Sequence, residues 1–198
     1  AIAEGKIGTF LSDPIQKFQI QAVEKQKLAK PQLTIDEREA MVIFTSGTTS
    51  SKLKGVRLSH SGISNCCSYM NDLMDFSIDS VELIFAPLDH AYGFGRCHCT
   101  LIAGGTVILP HNLRSIGKIF ELVDKHNCTA LSAPPSVICS LLKAPNEKTS
   151  QLAKKIRHIQ TGAMRFDTTF RDKLLRLLPE TRVFLHYGLS EAMRVTLF

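Results

Sequence analysis

Tryptophan is absent from this chain of 198 residues, and aromatic residues make up only 7% of it. So few rings exclude a stacking platform for single-stranded nucleic acid. No apolar run is long enough to span a bilayer, so no membrane span is expected. No CxxC pair occurs among the six cysteines (Cys66, Cys67, Cys97, Cys99, Cys128 and Cys139). The Cys97-His98-Cys99 cluster lacks zinc-ligand spacing, and no second ligand pair is evident. Small buried thiols in a reducing cytosol are the expectation. The opening stretch, AIAEGKIGTF, has no basic head before an apolar run, so no signal peptide is expected and a cytoplasmic location is. Internal repeats, low-complexity linkers and runs of like charge are also missing.

What is present is ordinary in bulk and informative in detail. At 44% hydrophobic and 21% charged, the chain reads as folded and globular. Its formal net charge of +6 favours anionic partners such as nucleotides or CoA-like molecules. A merely solvated surface is the competing reading. The basic residues are scattered, as at Lys25, Lys52, Lys54, Arg57, Arg171 and Arg176, where a nucleic-acid arm would be denser; no nucleic-acid partner is expected.

Residues 12–30 predict an amphipathic helix, capped by Ser12 or Asp13 with Pro14 in its first turn. A polar link near 30–38 follows, so residues 1–39 read as a leading helix and linker and 40–198 as an α/β core. Strands are expected at 40–45, 56–59, 81–86, 105–110, 128–133, 156–161, 182–187 and 194–198. Helices are expected at 60–74, 92–103, 114–126, 135–143 and 167–178. This alternation predicts an α/β fold, a mostly parallel sheet with helices on both faces. Ligands of such sheets bind beyond the carboxyl ends of the strands. Four polar stretches follow strands: TSGTTSSKLKG, PLDHAYG, TGAM and YGLSEA.

The first of these buries no core. Thr45, Ser46, Thr48, Thr49 and Ser50 supply hydroxyls, Gly47 supplies backbone freedom, and Lys54 supplies charge. These are the parts that hold phosphate oxygens. It is not a Walker loop, because Lys52 stands where that loop's second glycine belongs. A plain surface turn is the competing reading.

FTSGTTSSKLKGV (44–56) resembles the phosphate-loop signature of the AMP-forming adenylate ligases, the superfamily of acyl-CoA synthetases, peptide-synthetase adenylation domains and luciferases. PLDHAYGF (87–94) is similar to their Pro-Leu-x-His-x-x-Gly stretch, TGAM (161–164) to their adenine-edge segment, and HYGLSEA (186–192) to their Tyr-Gly-x-Thr-Glu signature. The motifs occur in the family's order over about four-fifths of the chain. The resemblance implies part of the large N-terminal domain of an adenylate-forming enzyme, with ATP, Mg²⁺ and CoA as cofactors and a carboxylic acid as substrate.

The resemblance also implies roles. Ser46, Gly47, Thr48, Thr49 and Lys54 would hold the β- and γ-phosphates, with Thr45 and Ser50 in the same loop. Glu191 would hold Mg²⁺, and the Ser190 hydroxyl would reach the α-phosphate. Tyr187 would lie against adenine, between His186 and Gly188. Gly162, Ala163 and Met164 would form the base edge, and His90 would line the acyl pocket. Lys54, His90 and Glu191 form the implied catalytic set. His60, His111, His126 and His158 read as surface or capping residues.

Three departures stand out. The phosphate loop is one residue longer than usual, Ser50 replaces a glycine, and Ser190 replaces a threonine. The family's ribose aspartate and C-terminal domain would follow Phe198, so the chain reads as a fragment, by itself inactive. A nucleotide-binding module without catalysis, or an adenylation domain for an amino acid, are the rival readings.

Overall fold

Strands too apolar to tolerate water on either face find partners on both sides. The computed structural model describes residues 9–13, 38–46, 53–110, 116–162, 168–192 and 196–197. Its strands are β1 (Thr9–Asp13), β2 (Glu39–Ser46), β3 (Leu53–Ser59), β4 (Val81–Ile84), β5 (Thr106–Pro110), β6 (Ala130–Ser132), β7 (His158–Gly162), β8 (Arg182–Tyr187) and β9 (Thr196–Leu197). Its helices are α1 (His60–Met74), α2 (Ala91–Ile102), α3 (Ile116–His126), α4 (Pro135–Leu141), α5 (Asn146–Lys155) and α6 (Thr168–Leu177).

Seven strands form one sheet in the order β1-β5-β4-β6-β7-β8-β9, parallel except for β9. The chain leaves β4 for β5 through α2, then turns back past β4 to β6 through α3. Crossovers of one hand that travel in opposite directions lie on opposite faces of a sheet. On one face Leu83, Ile108, Leu131 and Ile159 pack against Ile119 and Leu122 of α3, Leu152 of α5 and Leu174 of α6. On the other, Ala130 and Phe184 pack with Met70 and Met74 of α1 and Cys99 of α2. Each fully buried Leu, Ile or Met contributes roughly 1.5–3 kcal/mol of transfer free energy.

Helix α1 spans the predicted residues because both ends are marked. Ser59 accepts from the Gly62 amide at 3.1 Å at the start, and Asp75 turns left-handed at φ 52° at the end. The turn from α2 to β5 needs a positive φ, which Gly104 supplies at 78°.

Some expectations are corrected. Ser12 and Asp13, read as a helix cap, are the last two residues of β1, paired with Leu109 and Pro110; residues 14–30 lie outside the described residues. The helix α5 was not expected, because NEKTSQLAKK buries only Thr149 and Leu152 and shows no apolar stripe. Strands β2 and β3 stand apart from the main sheet as an antiparallel hairpin. Thr45 and Ser46, which open the serine-rich stretch, therefore end a strand of this separate pair and not a strand of the parallel sheet; residues 47–52 lie outside the described residues. His158 is no surface residue: its ring sits 5.7 Å from Phe76 and 5.9 Å from Phe184. Burial, then the nearby Arg182 cation, holds its pKa below the ordinary histidine value.

Candidate functional site

A reversal of strand order opens a crevice at the carboxyl ends of the strands. Here it falls between β4 and β6, whose onward connections run apart. The loop after β4 brings Pro87 to His90 there. His90 caps α2, its Nδ1 accepting from the Tyr92 amide at 3.3 Å, and it is exposed. One turn into α2 the chain runs so near the loop that a Cβ on Gly93 would lie 2.2 Å from the Pro87 carbonyl oxygen. That close crossing is the physical reason for the last glycine of PLDHAYG.

Tyr92 reaches from α2 over the ends of β6 and β7. Its hydroxyl donates to the Gln160 carbonyl oxygen at 2.8 Å, and its ring lies 4.5 Å from that of His186. His186 in turn places Nδ1 3.1 Å from the Thr161 carbonyl oxygen. Strands β7 and β8 approach closely here: a Cβ on Gly162 would meet the His186 carbonyl oxygen at 2.3 Å. The glycine expected to make room for a nucleotide base thus first makes room for the neighbouring strand. Below this rim, Gln160 and Thr161 are fully buried, and the side-chain amide of one and hydroxyl of the other have no hydrogen-bond partner. Such atoms are free to serve a water or a ligand.

The hairpin and the β8–β9 connection meet beside this rim. Leu189 and Ala192 exchange both backbone hydrogen bonds, at 3.1 and 3.2 Å, which leaves Ser190 and Glu191 at the centre of a tight turn. Lys54, on β3 opposite Thr45 of β2, donates through Nζ to Glu191 Oε1 at 2.8 Å. Both partners are exposed, at 63% and 47%. Lys54 also holds the Glu191 carboxyl below the usual carboxylate range, mainly through that hydrogen bond.

The structure therefore brings together Lys54, Ser190, Glu191, Gly188 and Tyr187 on one side, and His90, Gly162 and His186 on the other. Tyr187 is 55% exposed. Thr45 and Ser46 end β2. Gly47, Thr48, Thr49, Ser50, Ala163 and Met164 lie outside the described residues. Among the described residues, no group of three or more His, Cys, Asp or Glu side chains gathers. Glu191 would thus offer one hard carboxylate to Mg²⁺ and leave its other positions to phosphate oxygens and water, which fits that ion. The Cys97 thiol, pushed up to about 11 chiefly by burial, stays protonated and is a poor metal ligand.

Sequence reasoning missed two things here. Tyr92 lies inside a quoted motif, and its contacts depend on β7 and β8, which are far away in sequence. The second is a buried pair: Arg96 of α2 donates to Glu82 of β4 from Nε at 2.7 Å and from Nη2 at 2.9 Å, both side chains fully buried. The Thr100 and Ser132 hydroxyls donate to the same carboxylate. Burial is the largest single influence on Arg96 and would lower its pKa, but the Glu82 charge and hydrogen bond, together with Cys99 and Tyr92, outweigh it and the net shift is upward.

A family model described as AMP-binding enzyme matches residues 5–198. Among similar curated proteins, 4-coumarate–CoA ligase 3 of Oryza sativa subsp. japonica is 28% identical over 75% of this chain and 27% of its own length. A 4-coumarate-CoA ligase 1 of Narcissus pseudonarcissus is 30% identical over 75% of this chain and 28% of its own. The chain thus spans less than a third of the length of these relatives. Among solved structures, o-succinylbenzoate coenzyme A synthetase (MenE) of Bacillus subtilis, in complex with ATP and magnesium ion, aligns with a TM-score of 0.70 at 24% identity, covering 82% of this chain and 33% of that one. Apo MatB of Rhodopseudomonas palustris aligns with a TM-score of 0.72 at 22% identity, covering 82% and 31%. These structural likenesses concern the fold.

Proposed function

The chain belongs to the AMP-binding enzyme family, and from that premise we propose that it carries the ATP site of a ligase that activates a carboxylic acid as acyl-adenylate and passes the acyl group to CoA. In this reading residues 40–198 hold the ATP/AMP site, within the large N-terminal domain of the enzyme, and 1–39 lead into it. The observation that carries the reading is the contact of Lys54 with Glu191 at 2.8 Å, which joins two motifs 137 residues apart.

The reaction sets one anion against another. A carboxylate oxygen attacks the α-phosphorus, the bond to the β-phosphate oxygen breaks, and pyrophosphate leaves with the electron pair. Lys54 stabilises charge on the departing phosphates. Mg²⁺, held by Glu191, supplies further charge neutralisation when bound. Ser190 donates toward the α-phosphate, and Tyr187 orients the base. Donors fixed before the reaction act without reorganising, and one such donor is worth roughly 10²–10³ in rate. The CoA thiol then displaces AMP from the acyl carbon. A cytoplasmic setting belongs to the same proposal and accords with six free thiols.

The test is acid-dependent exchange of labelled pyrophosphate into ATP by the intact protein, over a panel of aromatic, aliphatic and amino acids. Exchange with a non-amino acid, followed by a CoA thioester, is the expected result. ATP binding without exchange under any acid would favour the non-catalytic module.

A further inference from the structure

We propose that Arg96 is a positioning residue for the acid-activating site: paired with Glu82, it fixes the seat of α2 on β4, and so the places of His90 and Tyr92 over the ends of β7 and β8. The proposal rests on the ligase reading above, since it needs α2 to begin at the site where the acid reacts.

The contacts form a closed circuit. Arg96 follows Tyr92 by four residues, so both lie on one face of α2. Arg96 binds Glu82 of β4 through two nitrogens, at 2.7 and 2.9 Å. The Ser132 hydroxyl of β6 donates to the same carboxylate. Ser132 pairs in register with Gln160 of β7. The Gln160 carbonyl oxygen accepts the Tyr92 hydroxyl at 2.8 Å, which closes the circuit. Any slide or roll of α2 must therefore move Tyr92 against Gln160, and move with it His90, which caps the same helix.

Stability alone does not account for the pair. A buried ion pair loses so much hydration that a well-packed apolar pair of similar volume is often as stable or more so. What apolar packing lacks is direction. A planar guanidinium bound by two nitrogens to a planar carboxylate sets rotation as well as distance. Here the plane is fixed on further sides by Thr100 on the carboxylate and by Phe76, whose ring centroid lies 4.6 Å from the Arg96 guanidinium carbon.

The test compares the intact wild-type protein with Arg96→Met, Glu82→Leu, the double variant, Ser132→Ala and Thr100→Val. It reads melting temperature and the KM of acid and of ATP in pyrophosphate exchange. Each of the first two singles should melt lower than wild type. The double variant should regain most of that loss yet keep an acid KM raised about tenfold or more, with the ATP KM within about twofold, because misplacing a site group by a fraction of an ångström is costly. Ser132→Ala and Thr100→Val should raise the acid KM about threefold and lower melting by less than either charge-removing single. A double variant with wild-type acid KM, or with both KM values raised alike, overturns the proposal; if the double does not fold, an unchanged acid KM in the two milder variants does so. Should the wild type exchange pyrophosphate with no acid, the ligase reading fails separately. The seat of α2 is then read from amide hydrogen exchange at Phe94, whose N–H donates to the His90 carbonyl oxygen. It should quicken in the double variant, or in the milder pair, while α3 holds; an unchanged rate there overturns the proposal.

Discussion

Two ion pairs in this molecule use similar chemistry for opposite ends. Lys54–Glu191 is short, at 2.8 Å, and exposed on both sides. Glu82–Arg96 is as short and fully buried. An exposed pair contributes little net stability, because water and salt offer each partner nearly as good a home. For the same reason it exchanges partners readily. Phosphate can take the lysine and a metal can take the carboxylate. The buried pair has no such alternative, since neither charge can leave without being stranded. One pair suits a site that must open to a ligand; the other suits an architecture that must not move.

The comparison breaks most visibly at the buried pair. Glu82→Ala strands the Arg96 guanidinium in the core and should cost about 3–5 kcal/mol, read by urea or thermal unfolding. A loss no larger than that of a surface variant would mean that water reaches Arg96. Gly162→Ala comes next. Its Cβ would lie 2.3 Å from the His186 carbonyl oxygen, backbone that cannot swing aside, so β7 and β8 must part. Overpacking of this kind costs about 1–3 kcal/mol, and ATP affinity should fall with it, because His186 directly precedes Tyr187. Full stability with weakened ATP binding would assign this glycine to the ligand and not to the strands.

The smallest effect concerns His158. Its folded-state pKa lies below the unfolded value, so the folded protein takes up that proton later than the unfolded chain does. The stability that depends on neutral His158 is complete above the ordinary histidine pKa of about 6.5 and is lost as pH falls through it toward the folded value. A melting series from pH 8 to 5 should show that acid-side loss, and His158→Gln should reduce it. Identical slopes in the two proteins would mean that His158 titrates as in free solution.

The parallel strands β4 to β8 were legible in the sequence because they are apolar runs set near helix-length segments, whereas β1, the half-polar TFLSD, was missed. Helix α1 was legible to the residue because Ser59 and Asp75 mark its ends. The motifs located the rim residues, since glycines 93 and 162 are dictated by close approaches of backbone. The hairpin's separation from the sheet was not legible: AMVIFT reads the same whether its partner is antiparallel or parallel. Helix α5 was hidden by its polarity. The Glu82–Arg96 pair was invisible because it depends on two elements crossing, and no spacing along a chain announces that. Its two charges stand 14 residues apart on different elements.

In the proposed reading, the exposed pair marks the place where Mg-ATP phosphates bind. The direct measurement is adenylation rate and melting temperature together, in the intact protein and its Glu191→Gln variant. That change keeps size and one acceptor oxygen and removes the charge. A fall in rate of about 10²-fold or more is expected. Melting temperature without ligand should move by no more than about 1–2 °C, as for an ordinary surface substitution. Added Mg²⁺ should restore part of the rate. A large drop in melting temperature with adenylation nearly intact would make Glu191 a structural carboxylate and remove it from the phosphate site.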